Sequence, residues 1–219
     1  MLQADGSGWL FAPAGLMDGP FPTHYEPHES PVENALYGQR SNPVRQLYRR
    51  RENPYEPAPG QPGSDAYPYV VTTHRLTEHH TAGGMSRTLG YLSELQPELH
   101  CEVSPELARE RGLEHGGWAT IVTPRSAIEA RVMVTDRLGT LDVGGRPLHQ
   151  IGLPYHWGSR GLTTGDAAND LFPIALDPNV HIQEVKAAAC DIRPGRRPRG
   201  PALRALVDSY PRVFEGDEQ

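Results

Sequence analysis

Proline placement constrains this chain more than any other feature. Ten of its 22 prolines lie before Ala66, with Pro20, Pro22, Pro27 and Pro31 in one run and Pro54, Pro57, Pro59 and Pro62 in another. Each removes an amide donor and pushes the residue before it towards extended backbone. Residues 1–65 therefore cannot be helical throughout. They read as an extended arm that wraps another surface, with one short helix near Pro43–Arg50 and a linker over Arg51–Asp65. Residues 66–194 read as the domain proper, and residues 195–219 as a basic tail with a short helix.

From Ala66 onward the texture changes. Tyr69–Thr73 is β-branched and follows Pro68, which predicts a strand. Ser104-Pro105-Glu106 supplies an N-cap, a proline at the first helical position and an acid in the first turn, and Gly112 ends the segment, which predicts a helix over Pro105–Arg111. Strands are expected at Trp118–Thr123 and Ile128–Val134, joined through residues 124–127. In the second, Ile128, Ala130, Val132 and Val134 alternate with Glu129, Arg131 and Met133. Gly144-Gly145 marks a turn, Leu148–Leu153 and Ala187–Ile192 read as strands, and Pro201–Tyr210 as a terminal helix. Short strands, few short helices and long loops give a mainly β chain of α+β character, suited to a closed barrel of mixed connectivity.

Composition then excludes several functions. The chain carries 21 Lys+Arg against 27 Asp+Glu, a net charge of −6, so general nucleic-acid binding through phosphate neutralisation is not expected. Its two cysteines, Cys101 and Cys190, form no CxxC pair and cannot build a four-cysteine zinc or iron–sulfur site. No apolar run reaches the length of a membrane span. The run Trp9–Met17 is preceded by Asp5 and the first arginine is Arg40, so no targeting signal is read and a cytoplasmic location is the default. The opening Met1–Gly6 reads like the middle of a loop.

Three loops concentrate polar and small residues. The first, Thr73–Gly84, carries Arg75, His79, His80 and Thr81 before the Gly83-Gly84 pair. Arginine offers a fork of donors, and glycines let backbone amides approach an anion. A metal reading would use His74, His79 and His80, but no cysteine or carboxylate pair accompanies them at a known spacing, so no metal ligand is assigned. A solvated loop is the ordinary alternative. The second, Gly152–Gly158, holds Tyr155, His156 and Trp157, suited equally to stacking on a planar heterocycle or to closing a barrel corner. The third, Thr164–Asp170, holds Asn169, whose amide can pair with a ring edge or simply shape a turn. Lys186 is the single lysine beside 20 arginines. The cluster Arg193, Arg196, Arg197 and Arg199 reads as a solvated tail or a docking patch for a partner.

The ordered series of these segments resembles a known family. It includes Gly19–Pro27, Glu29–Asn34, Pro68–His79, Pro154–Gly158, Gly165–Leu171 and Asp177–Glu184. Together they resemble the C-terminal region of the large (alpha) subunit of formate dehydrogenase, one of the molybdenum/tungsten bis-pterin oxidoreductases related to dimethyl sulfoxide reductase. The resemblance implies a double-psi β-barrel that closes over a bis-molybdopterin guanine dinucleotide. It implies pterin and phosphate contacts for Arg75, His79, His80 and Thr81, a second contact loop at Tyr155 and His156, and a pterin-edge pair at Asn169 with Lys186 nearby. It also implies partners: the remainder of the large subunit and its electron-transfer subunits.

The family's metal ligand and cysteine-rich iron–sulfur motif lie upstream of this region and are absent from these 219 residues. No catalytic residue is therefore assigned, and the chain alone is expected to be inactive. The competing expectation is a non-catalytic, stand-alone molybdopterin-binding or assembly module. The resemblance is compatible with NAD or quinone as acceptor, with molybdenum or tungsten as metal, and with a secreted assembly directed by an upstream signal.

Overall fold

The computed structural model describes residues 2–9, 15, 46–47, 66–176, 182–183 and 186–210. Most of the proline-rich arm and the end of the tail lie outside that set. Within the arm, β1 (Gln46–Leu47) pairs antiparallel with β9 (Ala175–Leu176). At these two residues extended backbone replaces the helix expected near Pro43–Arg50, and the rest of that segment lies outside the described residues. A two-residue bridge to a distant strand is a tertiary pairing that local propensity does not report.

The remaining strands are β2 (Tyr69–His74), β3 (His100–Val103), β4 (Trp118–Val122), β5 (Ala127–Val134), β6 (Leu141–Val143), β7 (Arg146–Leu148), β8 (Gln150–Pro154) and β10 (Ala187–Pro194). Helices α1 (Gly90–Leu95), α2 (Pro105–Arg111) and α3 (Pro201–Asp208) fill the connections, with 3₁₀ turns at Ser86–Thr88 and Ala168–Leu171. Six strands close a barrel in the order β10-β2-β8-β3-β5-β4, the double-psi β-barrel that the resemblance implies. Two pairs are parallel, β2–β8 and β3–β5, and the others are antiparallel. The strand expected over Leu148–Leu153 is divided at His149 between β7, which turns back on β6 through Gly144-Gly145, and β8, which joins the barrel.

The barrel interior is filled by alternate residues. Val71, Cys101, Val103, Ile121, Ile128, Ile151, Leu153, Cys190 and Ile192 are buried in one cluster, capped by Leu107 of α2. Helix α2 forms where its caps dictate: the Ser104 side chain accepts from the Leu107 amide at 3.1 Å, and Gly112 ends the helix in the left-handed region at φ 63°. A second, smaller cluster seats α3 through Leu206 and Val207 against Tyr67, Val122 and Ala127, with Tyr67 and Tyr210 stacked at 5.5 Å.

The basic segment before α3 is bound to the barrel rather than solvated. Arg196 and Arg199 both reach Glu129, and Arg197 grips Asp166 at 2.5 and 2.7 Å. Glu129 is buried, which opposes its charge, but the hydrogen bonds from Arg199 and Arg196 prevail and hold its carboxyl down at about 2. A cleft of about 360 Å³ opens beside this cluster, between Trp118, Ser159, Asp166 and Arg196.

Candidate functional site

Strand direction decides where the polar loops gather. Parallel strands β2 and β8 leave the barrel at one end, with His74 level with Pro154. The loops that follow them, residues 75–84 and 155–165, therefore start side by side. Strand β10 runs against β2, with Ala187 opposite Thr72, so Lys186 enters at that same end and is exposed there. Strand β4 also runs against β10 and so points the same way as β2, with its last residue Val122 level with Asp191. The turn that follows it carries Arg125, whose Nη1 donates to the Leu171 carbonyl at 3.3 Å, which places the Ala168–Leu171 turn over this rim. Asn169 is exposed on that turn, between buried Ala168 and Leu171.

His156 joins the first two loops. Its Nε2 accepts from the Leu76 amide at 2.7 Å, so Nδ1 is the protonated nitrogen and donates to the Thr81 carbonyl. The ring is buried, and burial lowers its pKa, which keeps the imidazole neutral as this tautomer requires. Thr81 is the one non-glycine residue with positive φ (45°) among the described residues. The cost of that conformation is met by the bond its carbonyl receives.

Arg87 makes the second tie, although no motif in the sequence marks it. Its buried guanidinium donates to the carbonyls of His156 at 2.8 Å, Gly158 at 3.4 Å and Thr163 at 2.8 Å, and to that of Arg160. One side chain thus fixes the course of the whole second loop. Its partners lie some 70 residues away in sequence, so no local spacing could have pointed to it. Gly83 is explained by the same contact. A Cβ there would collide with the His156 carbonyl, and φ is +76°. The glycine serves the close approach of two loops, whereas sequence alone suggested approach to a ligand.

His79 behaves in the same way. Its Nε2 faces the Gln96 carbonyl at 3.2 Å, its Nδ1 faces Ser86 Oγ at 3.1 Å, and its ring meets Trp157 edge-on at 5.0 Å. His79 and His156 therefore use both ring nitrogens within the protein and shape the loops. The metal reading of His74, His79 and His80 has no geometric support, because His79 is tied to Ser86 and Gln96 while His74 faces His100 and Glu102.

The surface offered by this scaffold comes from the other residues. The Arg75 guanidinium lies 4.3 Å above the Tyr155 ring and is exposed, and His80 and Thr81 are exposed beside it. A cation stacked on an aromatic face, a hydroxyl, an amide at Asn169 and an ammonium at Lys186 make up the donor set of this rim. Such a set suits a planar, hydrogen-bonding ring tethered to an anionic group.

Residues 69–189, more than half of the chain, match the family described as Molydopterin dinucleotide binding domain. The chain belongs to that family. It is 38% identical over 194 residues to formate dehydrogenase 2 subunit alpha (cytochrome c-553) of Nitratidesulfovibrio vulgaris, covering 88% of this chain and 19% of that protein. It is 37% identical over 195 residues to the nitrate-inducible formate dehydrogenase major subunit of Escherichia coli, covering 88% of this chain and 18% of that protein. The formate dehydrogenase subunit alpha of Megalodesulfovibrio gigas is 35% identical over 189 residues, 85% of this chain and 18% of that protein. This molybdopterin-binding domain thus spans under a fifth of the length of these relatives.

Proposed function

We propose that this chain supplies the molybdopterin guanine dinucleotide-binding portion of a formate dehydrogenase. The observation that carries the reading is the pair of parallel-strand loops locked by His156 and Arg87, presenting Arg75, Thr81 and Tyr155 on one rim. Identity of 35–38% to three large subunits named formate dehydrogenase supports the choice of enzyme. The competing reading, a stand-alone module, has no observation in its favour.

Within that enzyme, Arg75 and Lys186 would neutralise phosphate and pterin oxygens, and Thr81 and His80 would contribute donors from the first loop. Tyr155 would offer a flat face and Asn169 a paired donor and acceptor. His79 and His156 would hold these groups in place. Held by these residues, the cofactor with its molybdenum or tungsten would supply the two-electron redox chemistry for oxidation of formate to carbon dioxide. The chain's own contribution is to fix the pterins and keep water from them, a role that needs the remainder of the large subunit and electron-transfer subunits as partners.

The test is metal retention. In an enzyme assembled from this chain and the remaining large-subunit segments, Arg75→Ala and Asn169→Ala should lower bound molybdenum or tungsten, measured by elemental analysis, while circular dichroism stays unchanged. Full metal content in both variants would overturn the site. The purified chain alone should not reduce a dye with formate.

A further inference from the structure

On the outer face of the barrel wall, where β2 leads into the first loop, three side chains converge that were not assigned to the cofactor rim. His74 ends β2, and His100 and Glu102 lie on β3. On β3 these two alternate with the core residues Cys101 and Val103, so they face out of the barrel. They are nevertheless buried, Glu102 to 6% and His100 to 8% exposure. Gly152 of β8 sits opposite Glu102, and its missing side chain makes the room: a Cβ there would lie 3.3 Å from His74 Nδ1 and 3.4 Å from Leu138 Cδ2.

The donors point at one another. Glu102 Oε1 lies 3.5 Å from His74 Nε2 and 3.8 Å from His100 Nε2, and one ligand atom from each of the three residues lies within 4.8 Å of the others. Neither Nε2 makes a hydrogen bond among the described residues, although both atoms are shut off from solvent. A buried ring nitrogen left this way is costly and calls for an explanation. Both unbonded Nε2 atoms thus lie beside the Glu102 carboxylate, the side on which a shared ion would sit.

We propose that His74, His100 and Glu102 form a binding site for one divalent transition-metal ion of the zinc class, in exchange with Arg137. In a tetrahedral zinc sphere with Zn–N of about 2.0–2.1 Å, neighbouring donors are about 3.3–3.4 Å apart. The two imidazole–carboxylate separations, 3.5 and 3.8 Å, approach that geometry, and all three donors lie within 4.8 Å of one another, so binding draws them together. Glu102 is held by Arg137, whose side chain is 67% exposed and free to swing into solvent. Arg137 is thus the counter-ion of Glu102 without metal, and the ion takes its place when bound. Two imidazoles and a carboxylate leave a fourth position for water or a partner's donor.

The experiment uses the metal-free 219-residue chain, titrated with Co²⁺ and followed by its visible ligand-field bands, and melted with and without Zn²⁺. One ion per chain should bind and raise Tm, because the ion binds the folded state. His74→Ala and Glu102→Gln should each weaken binding by at least about tenfold and abolish the Tm rise. His74 is partly exposed, so its variant keeps the barrel folded. Arg137→Ala should bind the ion more tightly, since it removes the competing cation. Binding that survives in His74→Ala and Glu102→Gln, or no stoichiometric binding in the parent chain, would overturn the site. Unchanged or weaker binding by Arg137→Ala would overturn the exchange.

Discussion

Glu129 shows how one carboxylate can tie two distant parts of a chain. It is buried on β5, yet charged, because Arg196 and Arg199 reach it from beyond β10. Its folded pKa, about 2, lies below the ordinary carboxylate value of 4.5, so the pair stabilises above pH 4.5 and the contribution is lost as pH falls towards 2. Glu129→Gln should cost about 1–3 kcal/mol at pH 7 and flatten the acid limb between those values, as read by denaturant melts at several pH values. Burial pushes the Cys101 thiol up to about 12 and raises that of Cys190 as well. A thiol-directed reagent at pH 8 should label neither until the chain unfolds. None of this was legible in sequence. Glu129 read only as the polar side of an alternating strand, and its arginines as a solvated tail, because their pairing depends on how the barrel closes.

Elements were legible where the signals are local. Ser104, Pro105 and Gly112 mark the ends of α2 within a few residues of the helix they bound, and the structure places those ends as expected. Ser104→Ala should therefore cost about 1 kcal/mol. Leu107→Ala, which empties a fully buried site, should cost about 2–5 kcal/mol, both measured by urea melts. Strands β4 and β5 were visible through alternation and differ from expectation by a residue at their shared turn. Strand β3 was not: its outward residues are the buried His100 and Glu102, so all four of its positions are buried and the polar-out pattern carries no contrast. The first loop depends on a non-local contact in the same way. Gly83→Ala should displace the His156 carbonyl and cost at least about 2 kcal/mol, with lowered metal retention in the assembled enzyme.

At the scale of the molecule, the resemblance found what composition could not. Alternation and turn residues lead to a closed barrel, and only the ordered series of segments implied its strand crossings and its cofactor. Seven of the eight candidate contact residues then fall at one end of the barrel, since β2 and β8 run parallel and β10 runs against β2, while Asn169 is carried by the Ala168–Leu171 turn that Arg125 holds. Helix α3 belongs to the same body, through its packing on Tyr67, Val122 and Ala127. Ending the chain at Gly200 should expose that cluster and lower Tm, a loss that calorimetry would register without any change at the rim.

The closing strand also orders events in time. Strand β10 lies between β2 and β4, pairing Ala187 with Thr72 and Ile192 with Ile121. Until residues 187–194 have been made and inserted, the sheet has two open edges and Lys186 has no fixed position. A growing polypeptide on the ribosome therefore carries both polar loops before it carries a closed barrel to seat them. A chain stopped short of Pro194 would have both loops but no closing strand to bring Lys186 beside them.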